Sequence, residues 1–106
     1  MLSAQTLQTA VERVLAVAQP IQIILFGSYA RGDADEQSDI DLLIVENEVP
    51  DRGQEMLRLI RSIGFLGHGV DVLVYSEKEV LRRGQVPGTL LHHALKEGKV
   101  LYDARA

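Results

Sequence analysis

Residues 27–32, with the sequence Gly-Ser-Tyr-Ala-Arg-Gly, form a segment that could bind phosphate. A short β-branched run precedes the segment, so a strand is predicted to end here and to lead into a short helix. The start of a helix presents unpaired backbone N–H groups and the positive end of the peptide dipoles. Gly27 lets a ligand approach the backbone closely, and Ser28 adds a hydroxyl donor. The segment is therefore expected to favour a phosphate group.

Three aspartates could bind a metal ion. Asp39 and Asp41 alternate with apolar residues on the next predicted strand, so both carboxylates are expected on one face of that strand. Asp71 lies in a later apolar strand, where the alternation turns it away from the flanking valines. If the two strands are neighbours, the three carboxylates converge. Two like charges about 4 Å apart repel by roughly 4 kcal/mol at an effective dielectric constant near 20, so a cation is expected among them.

The chemistry of this predicted site follows from its oxygen ligands. Carboxylate oxygens suit Mg²⁺, a hard cation that often bridges a few carboxylates to the phosphates of a substrate. Two such ions, about 3.5 to 4 Å apart, can activate an attacking hydroxyl and stabilise a leaving pyrophosphate. We therefore expect the three aspartates to hold the metal ions, and Gly27 and Ser28 to hold a triphosphate.

Alternating helix and strand periods predict an α/β (α+β) fold, in which a small mixed β-sheet is flanked by helices. Strands are predicted at 21–26, 39–45, 70–75 and, at an edge of the sheet, 99–102. Helices are predicted at 3–20, 51–63, 76–84 and 87–98. Helical spacing predicts that the second and last of these bury Met56, Leu57, Ile60, Ile63, Leu90, Leu91, Ala94 and Leu95.

Length and composition argue against several classes of protein. With 106 residues, the chain is expected to form a single domain, 1–106. The net charge of -4 and the pI near 5.3 have the wrong sign for holding a phosphate backbone, so no direct binding of nucleic acid is expected. The absence of cysteine excludes disulfides and thiol catalysis and fits a cytoplasmic location. Polar residues interrupt the apolar positions of 1–20, so neither a signal peptide nor a membrane span is predicted there.

The motifs together resemble a known family. Gly-Ser-x-Ala-Arg-Gly at 27–32, a short acidic loop and Ser-Asp-Ile-Asp-Leu at 38–42 are similar to the polymerase-β-like nucleotidyltransferase superfamily, specifically its minimal nucleotidyltransferase branch. The strand Val-Asp-Val-Leu-Val at 70–74 stands where that family carries its third catalytic carboxylate. The closing Glu-Gly-Lys-Val-Leu-Tyr at 97–102 is similar to the family's usual end. The resemblance implies transfer of a nucleoside monophosphate, most often AMP from ATP, to an acceptor hydroxyl, with release of pyrophosphate.

The resemblance also implies roles for single residues. By position, Gly27 and Ser28 would contact the nucleotide phosphates, while the three aspartates would bind two Mg²⁺ ions and act in catalysis. Asp71 would lie nearest the acceptor hydroxyl and assist its deprotonation. Arg31 would either brace the phosphate loop or contact a phosphate, and the sequence leaves both roles open.

Other polar residues are predicted to be structural. The acidic run at 33–36 is expected to form a solvated loop, and Tyr29, at the variable position of the motif, is expected to pack locally. His68 is expected in the loop before the third strand. His92 and His93 are adjacent on a helix and therefore point in different directions, so at most one of them could meet a ligand.

The acceptor is expected to come from outside the chain. Larger members of the superfamily append an acceptor-binding domain, for which 106 residues are expected to leave no room. Stand-alone chains similar to this one commonly pair with a small helical HEPN-type ribonuclease toxin and neutralise it by AMPylation of a tyrosine near the toxin's active site. The resemblance therefore implies a protein adenylyltransferase that acts as the antitoxin.

Two alternatives stay open. One is a small-molecule nucleotidyltransferase of the antibiotic-modifying kind, and the other is a noncatalytic antitoxin that masks its partner by contact alone. The sequence also leaves open the nucleobase, the number of AMP groups transferred and the oligomeric state, whether a homo-oligomer or a hetero-oligomer with the toxin.

Overall fold

The computed structural model describes residues 2–106, in which nine helices and strands are joined by loops. In chain order they are α1 (Ala4–Leu15), β1 (Gln22–Phe26), α2 (Ser28–Arg31), β2 (Ile40–Glu46), α3 (Arg52–Ile63), β3 (Val70–Ser76), α4 (Glu77–Arg83), α5 (Leu90–Glu97) and β4 (Lys99–Asp103). Each predicted strand forms, and its bounds differ from the prediction by no more than about one residue at either end. The predicted α/β class is confirmed.

The four strands form one mixed sheet in the order β3-β2-β1-β4. The central strand β2 pairs antiparallel with β1 on one side and parallel with β3 on the other. Parallel neighbours need a crossover connection, and α3 supplies it between β2 and β3. The last strand, β4, pairs antiparallel with the free side of β1 and forms one edge of the sheet, as predicted.

Helices cover both faces of the sheet, so β2 is buried on both sides. Ile40, Leu42 and Ile44 face a core that includes residues of α1 and α3. Leu43 and Val45 face a second core that includes residues of α5. All five of these β2 residues are at most 2% exposed. A strand that is apolar on both faces is typical of a sheet packed between helices, and it gives side chains on β2 a rigid support.

Most helix starts follow the predicted caps. The Ser3 side chain caps α1, Asp51 caps α3, and Ser76 and Glu79 form the predicted capping box of α4. Helix α1 is shorter than predicted, because it ends at Leu15 and passes into a turn before the proline. Among residues 2–106, no helix combines the length and the apolar content that crossing a membrane requires.

Two leucines that were predicted to face the core are exposed instead. Leu57 is 47% exposed and Leu90 is 57% exposed. The buried residues of α3 are Leu59 and Ile63, and Leu57 lies about 200° around the helix from Leu59. Leu90 begins α5 and lies about 100° from the buried Leu91. The prediction was wrong at these positions because apolar character does not by itself assign a helix face.

A buried carboxyl stands at the far end of β2. Glu46 is only 8% exposed, and burial together with a hydrogen bond to the Glu55 carboxyl raises the pKa of Glu46 to about 7. Arg58 donates to Glu55 from Nε at 2.7 Å, and this bond lowers the pKa of Glu55. Glu46 is therefore held protonated below neutral pH.

The two-sided burial of β2 predicts a contrast between leucines. We expect Leu42→Ala, at 0% exposure, to lower the free energy of unfolding by about 2 to 5 kcal/mol, because it removes buried contacts and leaves a cavity. The same change at the exposed Leu57 is expected to stay within about 0.5 kcal/mol of wild type. Urea unfolding followed by circular dichroism measures both, and similar losses for the two variants would contradict the assigned core.

The raised pKa of Glu46 predicts that stability depends on pH. Because the folded-state pKa lies above the ordinary value of 4.5, Glu46 should destabilise the fold increasingly as the pH rises from 4.5 to about 7. Glu46→Gln stays neutral at every pH, so it should be more stable than wild type by about 1 to 3 kcal/mol near pH 8 and nearly equal to it near pH 4. Urea unfolding at both pH values tests this, with the exposed Glu48→Gln as a control. Parallel pH profiles for wild type and Glu46→Gln would rule the explanation out.

Candidate active site

The candidate site lies at one end of the strands, where β1 ends and β2 and β3 begin. Phe26, the last residue of β1, is the register partner of Asp41 across the antiparallel pair. Asp41 is in turn the register partner of Asp71 across the parallel pair. Register partners place their side chains on the same side of a sheet. The predicted condition that the two aspartate-bearing strands are neighbours is therefore met, and residues 27–32, here called the Gly-Ser loop, follow directly beside them.

Gly27 is fixed by its backbone conformation and by its neighbour. Its φ of 74° and ψ of -155° lie in a region that residues with a Cβ rarely adopt. A Cβ at this position would overlap the carboxylate of Asp41. The first residue of the Gly-Ser loop therefore packs directly on Asp41, and the short helix α2 begins at the next residue, Ser28.

Asp39 reaches the site from just outside β2. The strand begins at Ile40, one residue later than predicted, and its N–H donates to the carbonyl of Gly69 at 2.8 Å. A Cβ on Gly69 would overlap the carboxylate of Asp39. This second glycine contact holds the exposed Asp39 beside the start of β3.

Negative charge is concentrated around Asp41. Burial raises the pKa of Asp41, and the nearby charges of Asp71 and Asp39 raise it further, while Arg31 acts in the opposite direction. The three aspartates thus lie in one negative environment. In the part of the chain that the structure describes, no group of three or more carboxylate or imidazole side chains already has the geometry to hold a metal ion.

Glu97, the last residue of α5, joins the Gly-Ser loop to the second core. Its Oε1 accepts hydrogen bonds from the Gly27 N–H at 3.1 Å and from Nη1 of Arg31 at 3.2 Å. Nε of Arg31 donates to Asp33 at 3.2 Å, and Asp33 and then Glu97 raise the pKa of Arg31. The Arg31 guanidinium is therefore engaged by two carboxylates of the protein itself.

The remaining polar residues make contacts within the protein. The Tyr29 hydroxyl lies 3.1 Å from Nδ1 of His68, and the two rings meet edge to face, so Tyr29 packs against the loop before β3. Nδ1 of His92 lies 2.8 Å from the carbonyl oxygen of Gly84. The ring planes of His92 and His93 are inclined by 72°, and the ring centroids lie 6.1 Å apart.

Two surface cavities lie away from the aspartates. One of about 540 Å³ is lined by the loop after β2 and the start of α4, at the opposite end of β2 and β3. A groove of about 490 Å³ lies on the other face of the Gly-Ser loop and is lined in part by Leu7, Tyr29 and Leu101. The three aspartates line neither cavity. Asp39 and Asp71 are exposed, and Asp41 is half-buried.

Sequence reasoning missed Glu97 and Gly69 as parts of the site. An acidic residue at the end of a helix is unfavourable near the negative end of the dipole, so Glu97 could have been singled out as a residue that needs a donor. Gly69 immediately precedes the Asp71 strand, and a glycine there could have indicated a close approach. Neither signal identifies its partner, because Gly27 and Glu97 are 70 positions apart in the chain.

A mixed sheet with a Gly-Ser turn beside aspartates from neighbouring strands is typical of enzymes that transfer nucleotides. Comparison with protein families agrees, because the family model described as a nucleotidyltransferase domain matches residues 7–103. The chain belongs to this nucleotidyltransferase family and is therefore a transferase.

Two curated relatives come from Methanocaldococcus jannaschii, and each is provisionally named a protein adenylyltransferase. The first is 40% identical over 81 residues, which cover 76% of this chain and 77% of that protein. The second is 43% identical over 53 residues, which cover 50% of this chain and 52% of that protein. The chain is thus similar in sequence to proteins named for transfer of an adenylyl group to protein.

Solved structures show the same fold. A crystal structure from Sulfolobus solfataricus, provisionally described as a nucleotidyltransferase, has a TM-score of 0.66 and 25% identity, and covers 95% of this chain and 83% of that one. A structure described as a toxin-antitoxin with AMP-PNP has a TM-score of 0.64 and 23% identity, and covers 93% and 74% of the two chains. The chain therefore shares its fold with both solved structures.

The crowding at Asp41 predicts that removing its charge stabilises the fold. A raised carboxyl pKa means that the charged form is disfavoured in the folded state, so Asp41→Asn should raise the melting temperature at neutral pH. Asp103→Asn is the matched control and should lower the melting temperature, because hydrogen bonds from Arg105 and Gln22 lower the pKa of Asp103. Differential scanning fluorimetry compares the two. A lower melting temperature for Asp41→Asn would contradict the electrostatic description.

Proposed function

We propose that the protein transfers AMP from ATP, with Mg²⁺ as cofactor, to a tyrosine hydroxyl of a cognate HEPN ribonuclease toxin and thereby acts as its antitoxin. The observation that carries the proposal is the pairing of Asp41 with Asp71 across the parallel ladder, directly beside Gly27. This pairing brings a group of carboxylates to the loop that the motif assigns to the nucleotide phosphates. Family membership supports the transfer of a nucleotide.

The donor atoms suit the proposed metal, although the three carboxylates do not already have the geometry to hold it. Asp39, Asp41 and Asp71 offer only oxygen atoms, which Mg²⁺ prefers, and the charges of two of them raise the pKa of the third. A cation among them would relieve this repulsion. Mg²⁺ bound there would neutralise the phosphate charge and favour deprotonation of the attacking hydroxyl. The residues that would hold it are these three aspartates.

The chain's own residues would orient the two reactants. Ser28, at the start of α2, would donate to the phosphates that leave as pyrophosphate, beside the backbone of Gly27. Asp71 is exposed and lies on β3, the edge strand of the sheet, whereas Asp41 is half-buried on the central strand. The acceptor would therefore approach from the β3 side. Asp71 would take the proton of the attacking hydroxyl, whose oxygen bonds to the α-phosphorus as the bond to pyrophosphate breaks.

Two observations support a protein as the acceptor. Asp39 and Asp71 are exposed, so an acceptor carried on the surface of a partner would have access to them. Relatives are named protein adenylyltransferases, and a structural neighbour is a toxin-antitoxin with the ATP analogue AMP-PNP. The HEPN toxin and its tyrosine follow from the motif resemblance.

Label transfer tests the reaction. Incubation with ATP labelled in the α-phosphate, Mg²⁺ and the protein encoded by the neighbouring gene should label that protein. Asp71→Asn should lower the initial rate by about a hundredfold or more, because it removes the group that takes the proton. Asp39→Asn and Asp41→Asn should also abolish most of the transfer, whereas Glu36→Gln in the nearby exposed loop should not. No labelling by wild type, or full labelling by Asp71→Asn, would overturn the proposal.

Neutralisation of the partner distinguishes an enzyme from a binding protein. Co-expression with the toxin should protect cells when the wild type is present, and the triple Asp→Asn variant at 39, 41 and 71 should fail to protect them. Protection by the triple variant would establish the noncatalytic alternative. Label recovered on a small molecule, with none on the partner protein, would establish the antibiotic-modifying alternative.

A further inference from the structure

We propose that Glu97 is a positioning residue, whose carboxylate fixes the Gly-Ser loop in the conformation that receives the nucleotide. The inference rests on the proposed function, because the loop is taken as the phosphate-binding element. Glu97 lies outside the Gly-Ser and Asp-x-Asp motifs, and the packing of α5 brings it to the loop.

Glu97 joins the two ends of the Gly-Ser loop through one oxygen atom. Oε1 accepts from the N–H of Gly27, which begins the loop, and from Arg31, four residues later. Oε2 adds a longer contact of 3.4 Å to the same nitrogen of Arg31. A single carboxylate thus spans α2, so the helix that carries Ser28 cannot rotate without breaking these bonds.

The support behind Glu97 is rigid. In α5, Leu91 and Ala94 are at most 3% exposed and pack on the sheet. Gly98, the residue after Glu97, is packed so tightly that a Cβ there would overlap the Ala94 carbonyl oxygen and the Ile24 side chain. The buried part of α5 therefore fixes the position of the Glu97 backbone. The length of the glutamate side chain sets how far its carboxylate extends toward the Gly-Ser loop.

This arrangement gives Arg31 the bracing role rather than the phosphate contact. Its guanidinium is held by Glu97 on one side and by Asp33 on the other. The Gly27 N–H is likewise used within the protein. Ser28 is then the loop residue that meets the phosphates, and its position depends on the carboxylate of Glu97.

Three substitutions at Glu97 separate the effect of side-chain length from the effect of charge. Glu97→Gln keeps an oxygen at the same reach and can accept both hydrogen bonds without a charge. Glu97→Asp keeps the charge but is one methylene shorter, and Glu97→Ala removes both. Glu77→Ala is the matched control, because Glu77 is also a helical glutamate paired with an arginine, Arg105, but it lies beside the cavity at the other end of the sheet.

The expected order of ATP affinity is wild type, then Glu97→Gln, then Glu97→Asp and Glu97→Ala. Isothermal titration of ATP with Mg²⁺, without acceptor, should show about tenfold weaker binding for the last two and less than about threefold for Glu97→Gln. In label transfer, the KM for ATP should rise by the same factors, while the KM for the acceptor protein and the melting temperature of Glu97→Gln stay unchanged. Glu77→Ala should match wild type in both assays.

The outcomes distinguish this inference from the proposed function. Wild-type binding of ATP without transfer would overturn the proposed acceptor, and the affinity series would still decide the role of Glu97. Unchanged or tighter ATP binding by a folded Glu97→Ala would overturn the positioning role, and so would Glu97→Asp binding as well as wild type. If wild type binds no ATP, both are overturned.

Discussion

The parallel pairing of β2 with β3 is the interaction on which the rest of the site depends. It sets Asp41 opposite Asp71, and the antiparallel pairing of β2 with β1 brings the end of β1 to the same place. A shift of register by one residue would exchange the two apolar sets of β2 between the cores and turn Asp41 toward the core that includes residues of α1 and α3. The register that packs the protein is therefore the register that assembles the carboxylates.

The site has an electrostatic cost, which the surrounding structure partly offsets. Three aspartates lie close enough for two of them to raise the pKa of Asp41, and Arg31 supplies the opposing positive charge. Arg31 is itself held by Asp33 and Glu97. The arrangement leaves the aspartates with excess negative charge, which a bound cation would neutralise. Function and stability thus place opposite demands on the charge of Asp41.

Much of the fold could be predicted from the sequence, because its signals are local. β-branched runs gave the strands, and capping residues such as Ser3 and Ser76 gave helix starts. The errors occur at positions whose burial depends on how a helix packs on the sheet. Leu57 and Leu90 are apolar yet exposed, because the orientation of each helix on the sheet selects which residues are buried. The types of the candidate site residues could also be predicted from the sequence, because a Gly-Ser turn and alternating aspartates are short-range patterns.

The sequence by itself determined the strands, the glycine turn and the alternation that puts Asp41 on one face of its strand. It also carried the motif by which the family is recognised. Only the tertiary structure decided that β2 and β3 are parallel neighbours in this register, and that Glu97 at the end of α5 holds the Gly-Ser loop. The physical reason is the distance along the chain over which each interaction acts. Strand propensity and capping act over a few residues, whereas strand pairing and the bond from Gly27 to Glu97 depend on how separate elements pack.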